Sequence, residues 1–223
     1  MNQLGGTIPE SFGSLTDLQV LNLYENDFPG EVPASIAQLR SLVILNLFDN
    51  KLTGVLPAEL GKHSPLPRDI EVDNNDISGP IPDGICDNGK LWILSASNNS
   101  LGLVRAALNG SIPASLVTCP SLISLGLQDN ELSGEVPATL WTETKLITLL
   151  LQNNGQLTGT LPKKLFWNLT RLFLNNNRFR GRLPTSAPRF QKFHASNNLF
   201  SGGIPAALVS GMPLLRELDL SAN

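Results

Sequence analysis

The chain has 223 residues, with 19 Gly, 16 Pro, 6% aromatic residues and a formal charge of −3. A mildly acidic balance argues against a nucleic-acid footprint, which needs a dense basic face, and no apolar run reaches the roughly 18 residues that span a bilayer. The first segment, MNQLGGTIPESFG, lacks the basic start and apolar core of a signal peptide, so if the protein is secreted its export signal lies outside this sequence.

From the N-terminus onward the chain repeats itself. An aliphatic residue precedes Pro9, Pro33, Pro57, Pro82, Pro113, Pro137, Pro162, Pro184 and Pro205, at steps of 24, 24, 25, 31, 24, 25, 22 and 21 residues. A second ladder runs in register with it: Asn26, Asn50, Asn75, Asn99, Asn130, Asn154, Asn177, Asn198 and Asn223. Each of these ends an LxxLxLxxN pattern, as in Leu18, Leu21, Leu23, Asn26 and again in Leu122, Leu125, Leu127, Asn130. Such periodicity predicts a repeat solenoid covering residues 1–223 as one domain of about nine repeats.

The letters have physical reasons. Alternate residues of LxxLxL point inward along a short strand, and one coil cannot bury that face without its neighbours. The Asn follows where the chain turns inward, and its amide can donate to and accept from main-chain groups that no sheet partner satisfies. Asn2 already occupies a ladder position with no strand before it, and the chain stops on the ladder at Asn223. Both ends therefore read as cuts within repeats of a longer array, with the polar caps of a solenoid missing. One step is irregular: eight residues, 102–109, stand where one is expected between Leu101 and Gly110, predicting a looped-out insertion on the flank.

Residues between the strand leucines face the opposite, concave side. In chain order these candidate ligand contacts include Tyr24, Asn46, Phe48, Asp69, Glu71, Asp73, Ser95, Ser97, Gln128, Gln152, Arg171, Phe173, Lys192 and His194. The surface runs from aromatic through acidic and small polar to basic, and an extended peptide of about a dozen residues fits along it. Asp69, Glu71 and Asp73 have the chemistry for Ca²⁺ or a basic ligand residue, against the alternative of a solvated acidic face. Arg171, Lys192 and His194 could clamp a carboxylate, or be ordinary surface charge. Arg178, Arg180 and Arg182 leave the sheet and read as a solvated flank, while Trp92, Trp141 and Trp167 are expected to cover the convex side. Cys86 and Cys119 fall at different registers of neighbouring repeats, which predicts buried free thiols behaving as small hydrophobes. Asn98, Asn109 and Asn168 open N-glycosylation sequons and favour passage through the secretory pathway.

The spelling NxLxGxIPxxL, as in Asn26-Asp27-Phe28-Pro29-Gly30-Glu31-Val32-Pro33 and Asn130-Glu131-Leu132-Ser133-Gly134-Glu135-Val136-Pro137, resembles the plant-specific class of leucine-rich repeats. That resemblance implies an α/β-type superhelix with a parallel concave sheet, a second short strand on the flank, and 3₁₀ turns on the convex side. The phrases at 84–91, 165–172 and 195–202 resemble ectodomains of receptor-like kinases of the HAESA and CLAVATA-type group. This implies a secreted peptide or protein ligand along the concave face, a co-receptor kinase, a plasma-membrane location, and a transmembrane helix and Ser/Thr kinase in parts absent from this sequence. In that group an Arg-x-Arg pair reads the ligand's terminal carboxylate; Arg171-Leu172-Phe173 keeps its first position, and Lys192-Phe193-His194 is a weaker basic substitute. A kinase-less receptor-like protein and a secreted protein resembling polygalacturonase inhibitors are the alternatives. With two His, no Cys/His metal spacing, no GxSxG and no phosphate-binding loop, no enzyme and no cofactor is expected of this chain.

Overall fold

The computed structural model describes residues 4–62, 67–99, 107–142 and 145–223. Among these, nine three-residue strands pair in parallel and in chain order: Val20–Asn22, Ile44–Asn46, Asp69–Glu71, Ile93–Ser95, Ser124–Gly126, Thr148–Leu150, Arg171–Phe173, Lys192–His194 and Glu217–Asp219. Their register stacks one inward residue per coil: Leu21, Leu45, Ile70, Leu94, Leu125, Leu149, Leu172, Phe193 and Leu218. The seven from Leu45 to Phe193 are at most 1% exposed. Each such burial contributes roughly 1.5–3 kcal/mol, set against the entropy of ordering a coil.

The flank carries its own parallel sheets. Gly79–Pro80, Leu108–Gly110, Glu131–Glu135, Gln156–Thr160, Arg178–Gly181 and Leu199–Phe200 form one, and Pro29–Glu31 with Lys51–Thr53 another. On the convex side lie 3₁₀ turns at Glu10–Ser14, Ala34–Gln38 and Ala138–Trp141, and single helical turns at Ala114–Val117 and Leu208–Gly211. Pro9, Pro33, Pro113 and Pro137 stand directly before four of these, where a fixed φ aims the chain into the turn and no donor is wasted. Gly211 meets the preceding coil so closely that an added Cβ would collide with the Thr185 carbonyl oxygen.

The ladder asparagines pin each coil to the one before it. Asn130 Nδ2 donates to the carbonyls of Ala96 in the previous coil (2.9 Å) and of Leu127 and Gln128 in its own (3.2 and 3.1 Å), while its Oδ1 accepts from Leu108 N–H (3.3 Å). Asn75, Asn99 and Asn154 repeat this pattern. Asn177 departs from it, its buried Oδ1 having no partner among the described residues. The cause is one extra residue: Gly155 separates Asn154 from the flank leucine by two positions, and the displaced Gly155 N–H bonds to the Asn176 carbonyl instead.

Two features went unpredicted. The residue before every ladder Asn sits at positive φ, between 51° and 61°, in a conformation that Asn and Asp tolerate best. These residues form a second, outer ladder: Asn74 donates to Asp49 (2.5 Å), Asn98 to Asn74 (2.7 Å), Asn153 to Asp129 (2.6 Å), Asn176 to Asn153, and Asn197 to Asn176 (2.8 Å).

Three expectations are corrected. Cys86 and Cys119 are not free thiols; they form a disulfide, with Cα atoms 5.8 Å apart. Both lie on convex turns of adjacent coils. Helical turns there advance only about 1.5–2 Å per residue, so a register offset of two residues is bridged easily. Trp141 does not cover the convex side: it is 1% exposed inside the core, edge-to-face with Phe179 at 6.1 Å. The insertion expected at 102–109 does not reach its predicted end. Residues 102–106 lie outside the described residues, but Leu108–Gly110 is a flank strand, and buried Leu108 occupies the slot assigned to Leu101 by bonding the ladder Asn130.

Candidate functional site

Between the buried spine residues, the concave strands present three parallel rows. The first runs Val20, Ile44, Asp69, Ile93, Ser124, Thr148, Arg171, Lys192, Glu217, and the second Asn22, Asn46, Glu71, Ser95, Gly126, Leu150, Phe173, His194, Asp219. A third follows two residues later, from Tyr24 and Phe48 through Asp73, Ser97, Gln128 and Gln152. The candidate contact residues thus lie on one continuous face, as the alternation predicts.

At one end Tyr24 and Phe48 stack with ring centroids 4.6 Å apart, a partly exposed aromatic platform. Next comes the acidic segment, whose three members are not equivalent. Asp73 is committed internally: its carboxylate accepts from Ser95 Oγ (2.7 Å), Ser97 N–H (2.9 Å) and Ser97 Oγ. Ser97 is itself buried by this arrangement. Burial pushes the Asp69 carboxyl above its ordinary value, partly offset by Arg68. Burial also raises Glu71, with the negative charges of Asp73 and Asp69 adding to the effect. Two carboxylates that are costly to ionise together form a place where a cation would be welcome. No cluster able to hold a metal ion occurs among the described residues.

The middle of the surface is polar, and Gln128 and Gln152 keep buried side-chain oxygens without partners among the described residues. The basic end is less basic than its sequence. Glu217 pairs with Lys192 at 2.7 Å and approaches His194 Nε2 at 3.4 Å. The Lys192 hydrogen bond is the main reason the Glu217 carboxyl lies below its ordinary range. Asp219, lowered first by a Ser196 hydrogen bond and then by Ser221, faces the same strand. His194 stacks on Phe173 with centroids 4.3 Å apart. Arg171 is exposed and makes no ion pair among the described residues. The three-residue clamp expected at 171, 192 and 194 therefore reduces to Arg171 beside a neutralised pair. Glu217 and Asp219 stand on the same two concave rows as Lys192 and His194 and offset their charge.

Elsewhere, Trp92 and Trp167 are exposed and carry the guanidinium groups of Arg68 and Arg189, each at 4.6 Å. Of the sequon asparagines, Asn109 is exposed, Asn168 half-buried, and Asn98 is held in the outer ladder.

Residues 17–39, 41–63 and 168–190 each match the family model described as Leucine Rich Repeat. The fold is that of a leucine-rich repeat superhelix. No curated protein sequence matches it. Among solved structures, this leucine-rich repeat chain is similar to a TDR receptor, at 31% identity and a TM-score of 0.83 over 98% of this chain and 37% of that one. It is likewise similar to the ectodomain of the Arabidopsis receptor kinase HAESA in complex with an extended IDA peptide hormone, at 33% identity and a TM-score of 0.75 over 100% of this chain and 40% of that one. A plant ice-binding protein shares the fold at 27% identity and a TM-score of 0.76 over 97% of this chain and 69% of that one. The chain thus spans less than half the length of the receptor ectodomains it matches. Since one fold serves such different ligands, function has to be argued from the concave surface itself.

The raised carboxyls of Asp69 and Glu71 carry a testable consequence. A bound cation favours their ionised forms, so acidification opposes its binding, and does so from a pH above the ordinary values of 3.8 and 4.5. Affinity for an Arg-containing peptide should therefore decline through that range in the wild-type protein, and the decline should flatten in Asp69→Asn/Glu71→Gln, as calorimetric titration at stepped pH would show.

Proposed function

We propose that this chain is the ligand-binding repeat region of a plant receptor-like Ser/Thr kinase at the cell surface, recognising an extended secreted peptide along its concave sheet, with a co-receptor kinase as second partner. The observation that carries this reading is the ordering of the concave face: an aromatic platform at Tyr24 and Phe48, an acidic step at Asp69 and Glu71, and an unpaired cation at Arg171. Similarity to a HAESA ectodomain that holds a peptide hormone supports it. Arg171 is the residue to hold a ligand carboxylate, because its planar fork matches that group and it makes no ion pair among the described residues.

The spacing limits the ligand. From the third concave strand to the seventh is four inter-strand steps, about 19 Å. An extended chain of about six residues covers that distance. Peptides selected from a randomised display library against the protein should therefore carry a basic residue and a carboxylate about six positions apart. Arg171→Glu should weaken such peptides at least about tenfold, near 1.4 kcal/mol. Lys192→Glu should do less, since Glu217 already holds that lysine. Selected peptides with no such spacing, or with affinity indifferent to Arg171→Glu, would remove the proposal.

A further inference from the structure

The formal charge of −3 conceals a segregation along the solenoid. Seventeen of the 19 acidic residues precede Lys145; between Lys145 and Arg216 stand ten Lys and Arg and no Asp or Glu. Much of this charge gathers on the flank, away from the concave rows. In the strand Arg178–Gly181 the Phe179 side chain is fully buried, so Arg178 and Arg180 point outward and are exposed, and Arg182 follows at the same two-residue step. The pitch of that row is about 7 Å.

None of the three arginines makes an ion pair among the described residues. Their strand neighbours are Thr158 and Thr160 on one side and Leu199 on the other. Lys163 and Lys164 stand on the preceding coil beside Thr185 and Ser186, just beyond Arg182, and are exposed. Like charges in a row repel, so the arrangement lowers stability unless an anion covers it.

We propose that this flank surface binds a linear polyuronate, an acidic polysaccharide with one carboxylate on each sugar. Three outward arginines span about 14 Å, more than a small anion can bridge. Guanidinium forks suit carboxylates. The strand that carries them is hydrogen-bonded to a neighbour on both sides, leaving no free edge for a peptide to join, which favours a polymer read through side chains alone. The Cys86–Cys119 disulfide indicates an oxidising compartment, where nucleic acid is not the prevalent polyanion.

The test is binding of galacturonate oligomers of about ten sugars to the full chain by calorimetry, beside poly-L-glutamate and a neutral glucan. Affinity should fall roughly tenfold between 50 and 200 mM salt. Arg178→Gln/Arg180→Gln/Arg182→Gln should lose at least tenfold with a thermal midpoint no lower than that of the wild type, and Lys90→Gln, an exposed lysine in the acidic part of the chain, should lose nothing. Should the triple variant fail to fold, Lys163→Gln/Lys164→Gln should still lose at least threefold. Wild-type affinity in the triple arginine variant or in Lys163→Gln/Lys164→Gln, binding that ignores salt, or no binding by the wild type would overturn the proposal. Tighter binding of poly-L-glutamate would do so too, assigning the surface to an acidic peptide.

Discussion

Asn130→Ala should lower the unfolding free energy by about 3 kcal/mol or more, a fall in midpoint of roughly 6–12 °C for a chain of this size. The side chain serves four main-chain groups from two coils, and alanine leaves them buried without that partner. A buried polar group stranded in this way costs about 1–3 kcal/mol. The ladder also supplies its own internal control. Asn154 accepts from Leu132 N–H at 3.0 Å, whereas the Oδ1 of Asn177 accepts from nothing among the described residues. Asn154→Ala should therefore cost more than Asn177→Ala, by about the value of one buried hydrogen bond, about 1 kcal/mol. Equal losses in thermal melts of the two variants would show that the amide oxygen contributes little and that the Nδ2 bonds carry the ladder.

The second large effect belongs to the disulfide. Cys86 and Cys119 are 33 residues apart in sequence and flank the irregular coil that contains the insertion. Closing a loop of that length stabilises by roughly 4 kcal/mol in the chain-entropy account. Cys86→Ala/Cys119→Ala should lose most of that, seen as a lower midpoint in denaturant. A reductant should lower the wild-type midpoint to a similar value and leave the double variant where it is. A wild-type midpoint indifferent to reductant would mean the bridge does not hold the two coils together.

Most of the fold is legible in the letters because a solenoid is nearly one-dimensional. Each coil touches only its neighbours, so Leu21, Leu45 and Ile70 can be placed by counting alone. What counting misses is whatever depends on the distance between coils. The Cys86–Cys119 bridge crosses coils at unequal registers, and the pairing of Lys192 with Glu217 needs the strand register as well as the strand. Leu101 and Leu108 both fit the flank position by spelling, and only the bond from Leu108 N–H to Asn130 distinguishes them. The outer ladder is masked in the letters because Glu25 and Ala222 break its Asn and Asp pattern, although both adopt the same positive φ. Net charge misled in a different way: averaging over the whole chain erased the cationic stretch that ends at Arg216.

The central claim is that ligand recognition lies on the concave rows. Hydroxyl-radical footprinting of the protein with and without a library-selected peptide tests it most directly, since reactive side chains occur both on that face and off it. Protection of Tyr24, Phe48 and Phe173, with Trp167 and Leu199 labelled as before, is the expected result. Protection of Trp167 or Leu199, with the concave aromatics labelled at their free rates, would contradict the claim.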